Sequence, residues 1–322
     1  GNHLQQLRGL INASTYQAII FYQEYSFNDS SNQFSFITPL SLLNNLERKN
    51  HLMTEAQERE YSIEEEIGRG RFGVVYKCTH RTSGETLALK LLNKEALTDN
   101  IDSQCILSEP KALTLVNPHP HVLHLRDLFE DASNLCIITE FCSGGDLFSL
   151  IASVGPLPEP QARQIFSQVM RGIAHCHRCG VVHRDIKAEN VLFDSRGAAK
   201  IADFGSVGFV DEEGGSIEGI VGTPLYVAPE ILDGREYGEK VDIWSAGVLL
   251  YLMIAGYYPF GGVNATEVFT AVMKGKVRFP MSTFYTVSSP AKDLIRKMLC
   301  MDPSRRLSAD QVLDHTWMSD AG

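Results

Sequence analysis

Gly68, Gly70 and Gly73 stand in a G-x-G-x-x-G pattern that runs directly into Val74, Val75 and Tyr76, and this junction limits the available folds more than any other stretch. A dinucleotide-binding unit opens a helix after its third glycine, and a P-loop needs Lys followed by Ser or Thr there. Two valines and a tyrosine demand a strand instead. The pattern therefore reads as a β-hairpin, with Tyr61–Ile63 leading in and Val74–Tyr76 leading out. Its small turn residues let backbone amides approach a polyphosphate. Thr86–Lys90 alternates as a third strand and ends in Lys90, seventeen residues past Gly73. A lone strand lysine is an edge charge in solvent. Beside a glycine hairpin it can face inward and neutralise adjacent phosphates, provided a carboxylate orients it.

Composition bounds the remainder. With 322 residues, 44% of them hydrophobic, the chain is long enough for two lobes around a real core and too apolar for a disordered polymer. Its 39 acidic and 29 basic residues leave a net charge of −10, which speaks against a nucleic-acid partner and for a cationic or neutral one. Seven cysteines, odd in number and widely spaced, suit reduced thiols, so the expected location is the cytoplasm or the nucleus. Residues 243–266 carry no charge and are long enough to cross a bilayer, but Gly256, Pro259, Gly261 and Gly262 break the run. The reading is a buried core helix over about Val241–Ala255 and no membrane span. Residues 1–55 are rich in Ser, Asn and Gln without sustained periodicity, and read as a flexible N-terminal extension.

Further along the chain, Ala162, Ile165, Phe166, Val169, Ile173 and Ala174 recur at helical spacing between Glu159 and Cys179. Then come His183-Arg184-Asp185-Ile186-Lys187-Ala188-Glu189-Asn190, Asp203-Phe204-Gly205 and Ala228-Pro229-Glu230, in that order. Asn190 lies five residues and Asp203 eighteen residues beyond Asp185. Each short motif alone is chance; the ordered set, with the glycine hairpin and Lys90, is specific. On these residues the chain resembles the eukaryotic protein kinases over residues 61–318. The resemblance implies an α+β, bilobal fold: a small antiparallel-β N-lobe with one main helix (61–139), a hinge (140–146) and a larger, mainly helical C-lobe (147–318).

It also implies a Ser/Thr protein kinase using ATP and Mg2+, with roles carried position by position. Asp185 accepts or orients the hydroxyl proton and Lys187 steadies the γ-phosphate. Asn190 and Asp203 are the metal ligands, and hard oxygen donors suit Mg2+. Lys90 pairs with Glu109, nineteen residues on, although Pro110 beside it is expected to kink the helix. Gly68, Gly70, Gly73, Val75, Ala88, Lys90, Glu140, Cys142, Asp146 and Leu192 surround the nucleotide, with Thr139 as gatekeeper. Leu113, Leu125, His183 and Phe204 form an apolar column between the lobes. Glu230 pairs with Arg306, and Asp242 with the catalytic-loop backbone. The alternative is a pseudokinase that binds nucleotide or a partner without catalysis.

Asp146 and Glu189 fall where basophilic relatives hold an arginine ahead of the target hydroxyl. No phosphothreonine is expected four residues before Thr223, where Gly219 stands, and Glu218 is expected to offer Arg184 a carboxylate instead. His175, Cys176, His177, Cys179 and His183 suggest a metal or redox cluster, but they lack four committed ligands. Runs such as Glu109-Pro110-Lys111 and Asp203-Phe204-Gly205-Ser206 resemble the plant phosphoenolpyruvate carboxylase kinases and their calcium-dependent and sucrose-non-fermenting-related kin. That makes phosphoenolpyruvate carboxylase a candidate protein substrate. No acidic loop of EF-hand spacing occurs, so no calcium-binding module is expected in the chain, and a monomer is the expected state.

Overall fold

A computed structural model describes residues 60–69, 73–94, 100–130, 134–210 and 215–319, with side chains in the first helix described from Leu107 onward. The extension over 1–55 and the glycine at 70 lie outside the described residues. Five strands form one antiparallel sheet in the order β1-β2-β3-β5-β4: β1 (Tyr61–Arg69), β2 (Gly73–His80), β3 (Thr86–Asn93), β4 (Leu125–Glu130) and β5 (Asn134–Glu140). Their period-two alternation sorts side chains onto two faces. Leu87 and Leu89 join Tyr61, Cys78, Phe129, Cys136 and Ile138 in a small outer core. Leu92, Leu135 and Ile137 face the other way and join the main core. Lys90 shares that inward face with Leu92, so the strand's pleat alone aims its ammonium at the cleft.

The main N-lobe helix among the described residues, α1 (Asn100–Val116), packs Ala112, Leu113 and Val116 beneath the sheet. It runs through Pro110 without ending. The lost backbone donor is confined to one turn, and the Pro110 carbonyl accepts the Thr114 hydroxyl at 2.7 Å. After α1 the chain does something that its sequence does not announce. Leu123 N donates to the Ile201 carbonyl at 2.9 Å and Ile201 N to the His121 carbonyl at 3.0 Å, so this stretch of the N-lobe range is bonded to the C-lobe. His175 closes the same seam with a 2.9 Å bond to the Val116 carbonyl and a stacked contact with His119, ring centroids 4.4 Å apart.

The C-lobe comprises α2 (Leu147–Val154), α3 (Glu159–Arg178), α4 (Pro229–Leu232), α5 (Lys240–Ala255), α6 (Ala265–Lys274), α7 (Met281–Phe284), α8 (Ser289–Met298), α9 (Ala309–Leu313) and α10 (Thr316–Ser319). Short strands β6 (Val181–Val182), β7 (Val191–Phe193), β8 (Ala199–Ile201) and β9 (Gly208–Phe209) lie on the cleft side and pair as β6-β9 and β7-β8. Helix α5 is buried at every position from Val241 to Ala255, as an apolar run with no polar stripe requires. It stops at Gly256, whose φ of 76° is the left-handed C-cap geometry open to glycine. Among the described residues no helix is long and apolar enough to cross a membrane. Buried Arg306 and Glu230 form a two-pronged pair at 2.6 and 3.0 Å that ties α4 to the end of the lobe.

Candidate active site

The cleft side of the sheet presents an ordered chain of charge. Lys90 Nζ lies 2.7 Å from both Glu109 carboxylate oxygens and 3.2 Å from Asp203 Oδ1. Burial opposes the charge on Lys90, but Glu109 and Asp203 outweigh it, so the ammonium titrates above the usual lysine range. The field of Lys90 in turn holds the Asp203 carboxyl down at about 2. Asp203 sits at φ 61°, a left-handed conformation unusual for a side-chain-bearing residue. The next residue, Phe204, is wholly buried and meets His183 edge-on, centroids 4.9 Å apart, with Leu113 buried in the same core. That packing fixes which way Asp203 points.

A second cluster lies across the cleft. Asp185 Oδ2 accepts from Lys187 Nζ at 2.6 Å and from Asn190 Nδ2 at 3.2 Å, while Asp185 Oδ1 accepts from the Thr223 hydroxyl at 2.7 Å. Lys187 also donates to Thr223 Oγ1 at 3.1 Å. Burial works against the Lys187 charge and Asp185 restores it, leaving this ammonium raised as well. Thr223 thus ties the activation segment, the stretch from Asp203 to Glu230, to both functional groups.

The loop carrying Asp185 is held from below. Buried Asp242 on α5 accepts from the backbone N–H groups of His183 and Arg184, both at 2.8 Å, and from His177 Nε2 at 2.9 Å. Arg184 has φ 65°, so these bonds secure a backbone conformation that by itself costs about 1–3 kcal/mol. Its guanidinium departs from expectation. It donates to the Ser206 carbonyl at 2.6 Å, the Val207 carbonyl at 2.8 Å and the Tyr237 hydroxyl at 3.2 Å, and Tyr237 donates on to the Gly219 carbonyl at 2.8 Å. Glu218 is exposed and is not among these partners. Carbonyls of the same segment, being nearer in the chain and already ordered by β9, take the place assigned to that carboxylate.

Around the cleft, Gly68 pairs with Val75, Val75 with Lys90, and Ala88 with Thr139 in the strand register. At Gly73 a Cβ would fall 2.1 Å from the Leu91 carbonyl oxygen, so the hairpin returns to β3 too closely for any other residue. Glu140 uses its side chain elsewhere: Oε1 accepts from His124 N and lies 2.8 Å from Lys200 Nζ. The half-buried Cys142 thiol is pushed up to about 12 by burial, with Glu140 adding to it. Asp146 caps α2, taking Ser149 N at 2.7 Å and Ser149 Oγ at 2.8 Å, and bridges to Leu192 on β7. Glu189 is the exception to this satisfaction, since its Oε2 is buried with no hydrogen-bond partner and burial raises its carboxyl.

Within the histidine and cysteine cluster Cys179 Sγ lies 3.8 Å from His175 Nε2, and the histidines are otherwise committed outside it. His175 bonds the Val116 carbonyl, His177 bonds Asp242, and His183 bonds the Ala202 carbonyl at 3.1 Å. Cys176 is buried, and burial raises its thiol well above the usual cysteine range, away from the thiolate. Among the described residues no three His, Cys, Asp or Glu side chains converge to hold a metal by themselves. Asn190 and Asp203 nonetheless fit Mg2+ as a pair. The Asn190 Nδ2 is committed to the Asp185 backbone carbonyl at 2.9 Å, leaving its oxygen as the donor, and Asp203 stays ionised and half exposed. Mg2+ ordinarily takes one or two protein oxygens and completes its shell with phosphate and water.

Residues 61–318 match the protein kinase domain, and the chain belongs to the protein kinase family. Its relatives define the branch. It is 41% identical to calcium-dependent protein kinase 29 of Arabidopsis thaliana over 263 residues, covering 81% of this chain and 49% of that protein. Calcium-dependent protein kinase 25 of Oryza sativa subsp. japonica is 41% identical over 266 residues, and calcium-dependent protein kinase 8 of Arabidopsis thaliana 41% over 265, with the same shares. The chain spans about half the length of these curated relatives. The chain therefore belongs to the branch of the protein kinase family related to the calcium-dependent kinases, a family whose phosphoryl donor is ATP with Mg2+.

Proposed function

We propose that this kinase phosphorylates Ser or Thr in a protein segment carrying Arg or Lys two or three residues earlier, with Asp185 receiving the hydroxyl. The observation that carries the reading is the Asp185–Lys187–Thr223 cluster facing the Lys90–Glu109–Asp203 chain. Phosphoryl transfer asks mainly for placement and neutralisation of charge. Bound Mg-ATP supplies the transferable phosphoryl group and the divalent charge that spreads over its oxygens. Lys90, oriented by Glu109, binds phosphate; Lys187 neutralises the side facing the acceptor; Asp185 Oδ1 and Oδ2 orient the hydroxyl and take its proton as the new bond forms. Asn190 and Asp203 are the oxygens offered to the metal. Because Glu140 spends its side chain on Lys200 and His124, contact with the base falls to the hinge backbone.

The basic preference is supported by Glu189, whose buried, unpartnered Oε2 lacks the donor that a guanidinium brings. A hydrogen bond to a charged group is worth about 1.5–3 kcal/mol, or roughly tenfold and more in peptide selection. Phosphoenolpyruvate carboxylase is the candidate substrate by resemblance of motifs, the cytoplasm the proposed location, and a monomer the proposed state. The test is a positional peptide array with Mg-ATP, comparing wild type, Glu189→Gln and Asp185→Asn. The reading expects an Arg preference that Glu189→Gln erases and activity that Asp185→Asn removes. A wild-type preference for acidic or proline-directed sites would overturn the substrate class, and full activity in Asp185→Asn would overturn the catalytic assignment.

A further inference from the structure

Lys111 lies one turn-half beyond Glu109 on α1, and its Nζ sits 4.2 Å from the centre of the Phe209 ring. The two residues belong to elements that the catalytic chemistry must align. Helix α1 carries Glu109, which grips Lys90 with both oxygens. Phe209 is in β9, where it pairs with Val181, and the following residue Val210 donates to the Gly180 carbonyl at 2.9 Å. Strand β6 ends at Val182, directly before His183 and the loop bearing Asp185. Residues two apart on a helix project about 200° apart, so Glu109 and Lys111 grip different neighbours from nearly opposite sides. Pro110 stands between them and removes one backbone donor from that turn, which leaves the helix more dependent on side-chain anchors there.

The geometry points to Lys111 as a positioning residue: its ammonium over the Phe209 ring latches the activation-segment strand to α1 and thereby holds Glu109 against Lys90. A cation over an aromatic face is drawn by the ring's negative centre, and an exposed pair of this kind corresponds to a two- to fivefold bias toward the closed arrangement, roughly 0.5–1 kcal/mol. The latch needs both a cation and an aromatic ring, and so a neutral residue of similar length breaks it while arginine preserves it. Lys111 touches neither nucleotide nor acceptor in this account; it acts through the helix.

The test measures amide hydrogen exchange of the whole chain alongside peptide phosphorylation. Lys111→Met is expected to speed exchange at the Val210 amide and along residues 111–116 by about two- to fivefold, and to lower kcat by no more than that factor. Lys111→Arg restores both. Phe209→Leu reproduces the change, and Lys111→Met added to it produces little further effect, the non-additivity expected of a contacting pair. Leu115→Ala, an exposed change on the same helix, leaves Val210 unmoved. Equal behaviour of Lys111→Met and Lys111→Arg, full additivity with Phe209→Leu, or the same response in Leu115→Ala would each overturn the latch. The inference rests on Glu109 as the partner that orients Lys90. Full activity in Glu109→Gln removes that premise separately, without altering the exchange result.

Discussion

Thr223→Val isolates one link between the activation segment and the catalytic carboxylate while preserving side-chain shape. The threonine hydroxyl donates to Asp185 Oδ1 at 2.7 Å and accepts from Lys187 Nζ at 3.1 Å, and Thr223 is buried. Valine removes both bonds without opening a cavity. Asp185 keeps Lys187 at 2.6 Å and Asn190 at 3.2 Å, so it stays in place but is no longer fixed about its carboxylate plane. A hydrogen bond to a charged group contributes about 1.5–3 kcal/mol, which predicts a fall in kcat of roughly ten- to over a hundredfold. The KM for ATP should hardly move, because Lys90, Glu109 and Asp203 share no bond with Thr223 among the contacts described. Steady-state phosphorylation of a peptide at varied ATP and peptide, with thermal melting of each variant, gives the answer. Thr223→Ser should retain most activity. A Thr223→Val enzyme within twofold of wild type, or one whose loss lies wholly in the KM for ATP, would refute the argument that this hydroxyl sets the base.

Asp146 caps α2 as well as lining the cleft, and the two roles separate by substitution. Asn caps as well as Asp, so Asp146→Asn should melt like wild type while Asp146→Ala loses about 1 kcal/mol, measured by denaturant unfolding. His119 is held down at about 4, first by burial and then by its neighbours His175 and His121. Its unfolded form therefore binds more protons between about pH 6.5 and 4, so its contribution to stability is complete above pH 6.5 and is lost as pH falls toward 4. His119→Gln should flatten that part of the stability–pH curve, and an unchanged slope would count against the half-buried stack.

The order of elements was legible, and so were the residues that form the candidate site's contacts, because both follow short-range rules. Alternation over Thr86–Lys90 set Leu87 and Leu89 on one face and Lys90 on the other, as the cores show; the unbroken apolar run of α5 announced a buried helix. The candidate site residues stood out because Asp185, Asn190 and Asp203 stand at fixed separations along one chain. What could not be read were contacts between segments far apart in sequence whose residue types are unremarkable. Nothing near Glu140 announces Lys200, nothing near Arg184 announces Tyr237, and no local pattern assigns Lys111 to Phe209. Pro110 is the reverse case: a local rule disfavours proline inside a helix, yet α1 continues through it with Ala112, Leu113 and Val116 buried beyond.

Helix α5 has no outside. Val241 to Ala255 are all enclosed, and the same helix supplies Asp242 to the loop backbone and Ser245 to the Tyr226 carbonyl at 2.8 Å. An ordinary surface helix leaves half its positions open to drift; this one leaves none. Substitutions in the chain should therefore accumulate along the cleft rim and the exposed faces of α6 and α8, so that recognition can diverge while the frame beneath it stays still.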